Sequence, residues 1–361
     1  GIYHFPLFCY LVDCGFNASI INPIITHSTK NGNIRKVKND KIDSKGIAKL
    51  GLSKDIPVSQ FPAKLVLELR SLTRKYYDLT DERSAHINKL KGDLHTVFPQ
   101  YLDVFCDVTG KTSTMILRQY GTPDKILRGH KKTMIEKISK ASRKGLAKAS
   151  ERYEKLCAAA NAAKTFGCQI DSIYFNIFLT LDLVEKLDSA LDSILNRIRQ
   201  LITFNKNEKF IQQIKLLNTI PGVGFLTAVT IMCEIGDFSA FRNPKQLFAY
   251  FGLDPEVNES GKFVGTQLHM SKRGSRIARR AIFAVALASI RTKRNGEGIN
   301  PYLRKYYELK SGQKPKMVAI GAVMHKVCNI VFAVLRDEKA FELRSPEEHC
   351  KQYQRPALAA A

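Results

Sequence analysis

Leu217-Asn218-Thr219-Ile220-Pro221-Gly222-Val223-Gly224-Phe225-Leu226-Thr227-Ala228 is the stretch on which the reading of this chain turns. An apolar helix runs into Pro221, a Pro-Gly-x-Gly turn follows, and a second apolar helix starts at once. Two glycines allow a tight reversal and leave backbone N–H groups uncovered at a helix N-terminus. Those donors, together with the positive end of the helix dipole, suit a phosphate. The same residues would also serve as a plain interhelical turn.

The charge favours the phosphate. Among 361 residues, 57 Lys and Arg stand against 33 Asp and Glu, a net charge of +24 and a pI near 9.7. A polyanion offsets such self-repulsion, because each phosphate contact releases condensed counterions. In this setting the turn resembles the helix-hairpin-helix, a sequence-independent clamp on the DNA backbone, with Gly222 and Gly224 at its centre. A basic surface without a partner is the alternative. No apolar run reads as long enough to cross a bilayer and no signal peptide is recognised, so no membrane role is expected. The eight cysteines include no CxxC pair, so neither a zinc site nor a disulfide framework is expected, and a reducing cytoplasm fits.

Outward from the turn the chain divides into four parts. Residues 1–55 read as partial α/β: a helix to Gly15, the β-prone run Ala18-Ser19-Ile20-Ile21, a basic stretch from Lys30 to Lys38, and a helix from about Asp40 to Leu50. One or two strands do not make a sheet, and the chain opens on Gly1 without a Met, so it reads as part of a longer frame. Residues 56–215 read as helical. Leu65, Leu69, Leu72, Tyr76 and Leu79 form one apolar stripe. Ile173, Ile177, Thr180, Val184, Leu187, Leu191, Ile194, Ile198 and Leu201 alternate steps of three and four, a heptad seam. The seam closes an intramolecular hairpin with the first helix, or alternatively joins two copies of the chain. Between these helices, residues 125–152 hold ten Lys and Arg, among them Lys131, Lys132, Arg143 and Lys144, against Glu136 and Glu151. Residues 216–340 form a unit of Gly, Arg and short apolar helices. Residues 341–361 read as a loose tail.

Two segments could carry chemistry. Asp254-Pro255-Glu256-Val257-Asn258-Glu259-Ser260-Gly261-Lys262 reads as a loop. Between Glu259 and Glu297 there is no acid, yet Lys262, Lys272, Arg273, Arg276, Arg279, Arg280, Arg291, Lys293 and Arg294 are all basic. Arg276, Arg279 and Arg280 share a helix face, giving a basic ridge beside Ser260. A serine among cations could attack a phosphodiester, the charge stabilising the pentacoordinate transition state; a lone loop serine is otherwise unremarkable. Asp40 and Asp43, three apart at a helix start, could hold Mg²⁺ or simply favour the helix N-terminus.

In order along the chain, Gly1-Ile2-Tyr3, Ile21-Asn22-Pro23, Lys38-Asn39-Asp40-Lys41-Ile42-Asp43, Thr219-Ile220-Pro221-Gly222-Val223-Gly224, Tyr250-Phe251-Gly252-Leu253-Asp254-Pro255, Glu259-Ser260-Gly261 and Ser271-Lys272-Arg273-Gly274 resemble the landmarks of the Piv-like DEDD transposases of bacterial insertion sequences, some of which are guided by a bridge RNA. The resemblance implies a truncated RNase H-like (RuvC-type) domain, a helical coiled-coil insertion and a helical C-terminal transposase domain. It implies Mg²⁺ on four carboxylates, of which Asp40 and Asp43 would be the last two, and Ser260 as nucleophile. The first two carboxylates would precede Gly1, so this chain is expected to be inactive alone. DNA, a structured guide RNA held by the basic helices, and a dimer or tetramer are the implied partners, with a cytoplasmic, nucleoid-associated location. The competing readings are a non-catalytic helix-hairpin-helix DNA-binding protein and a metal-dependent junction nuclease.

Overall fold

The computed structural model describes residues 4–21, 40–53, 63–205, 208–256, 259–260, 263–264 and 269–353. It divides into two units, residues 1–64 and 65–361. In the first, α1 (His4–Asp13) ends at Gly15, whose φ of +82° only glycine adopts freely. The amides of Gly15 and Phe16 close the helix on the carbonyls of Val12 and Leu11, a Schellman cap. Helix α2 (Asp40–Ser53) begins on Asp40 and Asp43. Residues 18–21 lie in no strand, a departure from the α/β reading. The Gly1-Ile2-Tyr3 and Asn22–Asn39 landmarks lie outside the described residues, apart from Ile21.

The second unit is organised by two long helices, α3 (Lys64–Val97) and α9 (Asp171–Phe204). They run antiparallel. Arg83 on α3 clasps Asp188 on α9 through both carboxylate oxygens, and the Tyr174 hydroxyl donates to the Val97 carbonyl at 3.4 Å. From Arg83 to Val97, and from Asp188 back to Tyr174, is the same step of fourteen residues, two heptads. Ile177, Thr180, Val184, Leu191 and Ile198 of the seam are buried.

Between the long helices the chain inserts α4 (Tyr101–Val104), α5 (Lys111–Gln119), α6 (Pro123–Arg128), α7 (Lys131–Ser142) and α8 (Leu146–Phe166). These close a core with one end of the pair: Leu90, Leu94 and Val97 from α3, Ile177 and Leu181 from α9, and Phe98, Tyr101, Ile116, Met134 and Leu156 from the insertion. Tyr101 is fully buried, so its hydroxyl must be satisfied internally; it donates to the Ser113 carbonyl at 3.0 Å.

The other end of the pair enters a larger core, where Leu65, Leu69 and Ile198 meet α10 (Glu208–Leu217), α11 (Phe225–Ile235), α12 (Pro244–Tyr250), α13 (Arg276–Ser289), α14 (Pro301–Ser311) and α15 (Lys316–Asp337). By length and composition α15 could cross a bilayer, which the sequence reading did not anticipate. Nine of its ten buried residues, Val323, Val327 and Val331 among them, pack into this core. Each such side chain contributes about 1.5–3 kcal/mol by leaving water. A charge at Val327 would forfeit that and strand an ion in the core.

The described part of the tail, residues 341–353, is also more ordered than expected. The Phe341 amide donates to Thr219 Oγ1 at 2.8 Å, and α16 (Pro346–Tyr353) follows. Ser345 and Glu348 cap that helix reciprocally, the Glu348 amide on the serine hydroxyl and the Ser345 amide on the carboxylate. This Ser-x-x-Glu capping box is a helix-start signal that the loose-tail reading overlooks.

Candidate functional site

Ser260 stands on a hairpin rather than in an irregular loop. Two strands, β1 (Glu259–Ser260) and β2 (Phe263–Val264), pair antiparallel with Ser260 opposite Phe263, and the two residues Gly261 and Lys262 separate them in sequence. Gly in a two-residue connection is the hairpin signal that outweighs the missing alternation. Beyond residues 257–258 and 265–268, which lie outside the described residues, the same two segments pair again. The Glu256 amide donates to the His269 carbonyl at 2.7 Å, Ser271 to Asp254 at 2.8 Å, and Lys272 to Gly252 at 3.0 Å. The Ser271 hydroxyl also reaches the Asp254 carboxylate at 2.6 Å. Lys262, a sequence candidate, lies outside the described residues.

The root of this stalk is a backbone crossing. A Cβ on Gly252, which has φ +66°, would lie 2.4 Å from the Gly274 nitrogen, and one on Gly274 would lie 2.0 Å from the Tyr250 carbonyl. Only glycine fits at either position. Arg279 clamps the crossing by donating to the carbonyls of Phe251 at 3.1 Å and Gly274 at 2.7 Å. Burial holds its guanidinium pKa below the ordinary value.

Behind the root lies an acid the sequence reading missed. Glu234 on α11 is 3% exposed. Arg74 of α3 donates to both its oxygens, at 2.8 and 2.9 Å, and the Ser275 hydroxyl donates at 2.7 Å. The same Ser275 oxygen accepts the Ala278 amide and caps α13. Burial alone would raise the Glu234 pKa; the hydrogen bonds from Arg74 and Ser275 and the nearby arginine charges outweigh it, and the net shift is downward. The signal available beforehand was a single carboxylate inside the apolar run Ile231-Met232-Cys233-Glu234-Ile235, which is stable only when paired.

The basic ridge is largely engaged within the protein. Arg276 and Arg280 both bind Asp81 of α3, at 3.1 and 2.8 Å, and Arg280 stacks 4.8 Å over the Tyr77 ring. Arg279 is committed to backbone. Lys272 and Arg273 differ: both are exposed, and among the described residues no carboxylate lies within ion-pair distance of them.

At the Pro-Gly turn, Gly222 has φ +96° and a Cβ there would meet Ser289 Oγ at 2.7 Å. The Ser289 hydroxyl donates to the Pro221 carbonyl at 3.0 Å, fastening the turn to the end of α13. Gly224, by contrast, sits at the N-cap of α11, where a Cβ would meet nothing within 4 Å, so its face is open.

The insertion's candidates fall at two ends of the α7–α8 hairpin. Lys131 and Lys132 begin α7; Arg143, at φ 55°, and Lys144 form the reversal between the helices. Sequence reasoning did not pick out Lys148, Arg152 and Lys155, which continue from Lys144 at helical spacing and line a cleft of about 170 Å³ with Asp103 and Glu151.

Asp40 and Asp43 lie one turn apart in the first turn of α2, where carboxylates also favour the dipole. Their oxygens suit a hard divalent cation. Among the described residues, however, no group of three or more potential ligands forms, so the pair does not by itself make a metal site.

Residues 214–308 match the protein family described as Transposase IS116/IS110/IS902, and residues 1–99 match the DEDD transposase family of IS110. The chain is 23% identical over 286 residues to the insertion element IS110 uncharacterized 43.6 kDa protein of Streptomyces coelicolor, covering 78% of this chain and 66% of that protein. It is 24% identical over 311 residues to the insertion element IS116 uncharacterized 44.8 kDa protein of Streptomyces clavuligerus, covering 86% and 74%. With the pilin gene-inverting protein of Moraxella bovis it shares 30% identity over 177 residues, 49% of this chain and 52% of that protein. The chain thus spans from about half to three quarters of these relatives.

Proposed function

This chain belongs to the IS110/IS116/IS902 family of transposases, and from that premise we propose that it takes part in cutting and rejoining DNA, with Ser260 as the nucleophile and with the remaining carboxylates supplied from outside these 361 residues. The observation that carries the reading is the stalk: a serine-bearing hairpin whose root is fixed by a glycine crossing, by Arg279 and by the Glu234 network, with Lys272 and Arg273 at its base. A nucleophile needs a rigid mount, since misplacement by about 1 Å can cost a hundredfold in rate.

In the proposed step the Ser260 oxygen forms a bond to phosphorus and the bond from phosphorus to one deoxyribose oxygen breaks. That oxygen leaves as a hydroxyl, gaining the proton that the serine loses. The phosphodiester energy is kept in the phosphoserine link, so rejoining by the reverse attack needs no ATP. Lys272 and Arg273 would stabilise charge on the phosphoryl oxygens. A divalent cation such as Mg²⁺, with Asp40 and Asp43 among its ligands, would neutralise phosphate charge when bound. The basic stripe of α8 suits a nucleic-acid backbone, DNA or a structured guide RNA, and exchange of strands between two DNA sites calls for more than one copy of the chain.

The test is excision and circle formation in cells carrying the protein with its element. Ser260→Ala and Asp40→Asn should each abolish junction products while protein levels hold. Junctions persisting in Ser260→Ala would refute the nucleophile and favour a non-catalytic DNA-binding role for this hairpin.

A further inference from the structure

The end of α13 that fastens the Pro-Gly turn also launches a basic finger. Residues 291–299 leave the helix and return to it. The Asn300 amide donates to the Ser289 carbonyl at 3.0 Å, Ile299 to Arg291 at 2.8 Å, and Thr292 pairs with Gly298. At the tip, Lys293 donates to Glu297 at 2.7 Å and Gly296, with φ +86°, donates to Lys293 at 3.0 Å. Arg304 holds the neck from below by donating to the Ile290 carbonyl at 3.1 Å. Asn300, 2% exposed, caps α14 through the Leu303 amide. The neck is therefore pinned to both α13 and α14, and through Ser289 to Pro221 and Gly222.

The tip's composition narrows what it can bind. Arg291-Thr292-Lys293-Arg294-Asn295-Gly296-Glu297 is exposed throughout and holds no apolar or aromatic side chain. It offers nothing for a protein or lipid to bury and no ring on which an unpaired base could stack. Its one carboxylate, Glu297, is taken by Asn295 at 3.0 Å and Lys293 at 3.9 Å. Among the described residues neither Arg291 nor Arg294 has a carboxylate in reach, unlike Arg276 and Arg280, which share Asp81. Two uncompensated guanidiniums on a pinned, narrow loop match the phosphate oxygens of a duplex, since each fork can donate bidentately.

We propose that residues 291–297 form a second DNA contact, which grips the backbone of duplex DNA beside the Pro221–Gly224 turn. This rests on the reading of the chain as a DNA-handling protein. The finger lies one length of α13 from Lys272 and Arg273, about 21 Å for its fourteen residues, or roughly six base pairs.

The experiment measures binding of the full chain to a labelled 30-base-pair duplex and to an RNA hairpin by anisotropy, between 50 and 200 mM salt. Arg291→Gln with Arg294→Gln should weaken duplex binding and flatten the slope of log K against log salt by about 1.8, two contacts at about 0.9 each. The thermal midpoint should not move, because both side chains are exposed. Arg291→Lys with Arg294→Lys should restore most of the slope. A double Gln variant with the wild-type slope, on a wild type that binds, would overturn the finger alone; so would a loss confined to the RNA hairpin. A wild type that binds no duplex would overturn the DNA-handling reading and the finger with it.

Discussion

Removing Arg74 should cost more than removing Glu234, although the two residues make the same pair. Arg74→Ala leaves the Glu234 carboxylate, 3% exposed, with the Ser275 hydroxyl as its remaining side-chain donor. Breaking a buried pair from this side costs about 3–5 kcal/mol, because the surviving charge is buried. Glu234→Ala leaves an arginine whose side chain is 51% exposed and can turn to water. That variant loses two charge-assisted bonds and strands part of Ser275, at about 1–3 kcal/mol. The gap should be about 2 kcal/mol at pH 7, read from urea unfolding followed by circular dichroism. It should also depend on pH. In the wild type the Glu234 pKa is held below its ordinary 4.5, so its stabilisation is complete above that value and is lost as pH falls through the depressed folded value. In Arg74→Ala burial prevails, the carboxyl takes up a proton more readily, and acid relieves the defect. The difference between wild type and Arg74→Ala should therefore shrink as pH drops below about 5. Equal costs for the two variants, or a gap constant with pH, would refute the buried-pair account of the stalk's root.

The two glycines of the Pro-Gly turn should separate stability from binding. Gly222→Ala forces a side chain into positive φ and onto Ser289 Oγ, and should cost about 2 kcal/mol or more, seen as a lower melting temperature. Gly224→Ala meets open space and should cost well under that, yet weaken duplex binding if its face receives a backbone phosphate. Ser275→Ala removes the cap of α13 and a donor to Glu234, and should destabilise by about 1–2 kcal/mol in the same melt. Arg83→Ala at the waist of the long helix pair should cost about 1 kcal/mol or less and fade with salt, since both partners are partly solvated.

The sequence made the long helices legible because their apolar residues recur at a fixed period over many turns, and Ile177, Val184, Leu191 and Ile198 are buried as that period requires. The Pro-Gly turn was legible for a local reason too, its φ demands. The serine stalk was not, because its pairing joins residues 252–256 to 269–272 without an alternating pattern, and it is fixed by glycines that touch only across the crossing. The arginines show the same limit more sharply. Arg276, Arg279 and Arg280 share a face as read, but what a guanidinium does depends on what lies opposite. Asp81 is almost two hundred residues away in sequence, and the carbonyls of Phe251 and Gly274 have no sequence signature at all. Glu234 was visible as a misfit in an apolar helix; its partner Arg74 was not.

The most direct test of the central claim is a covalent one. The protein, incubated with element-end duplex, any cognate RNA and Mg²⁺, should yield a protein–DNA adduct that survives a denaturing gel and maps by mass spectrometry to Ser260. Ser260→Ala should bind the same DNA and form none. Cleaved ends with free phosphate and no adduct, or an adduct that persists in Ser260→Ala, would contradict the account.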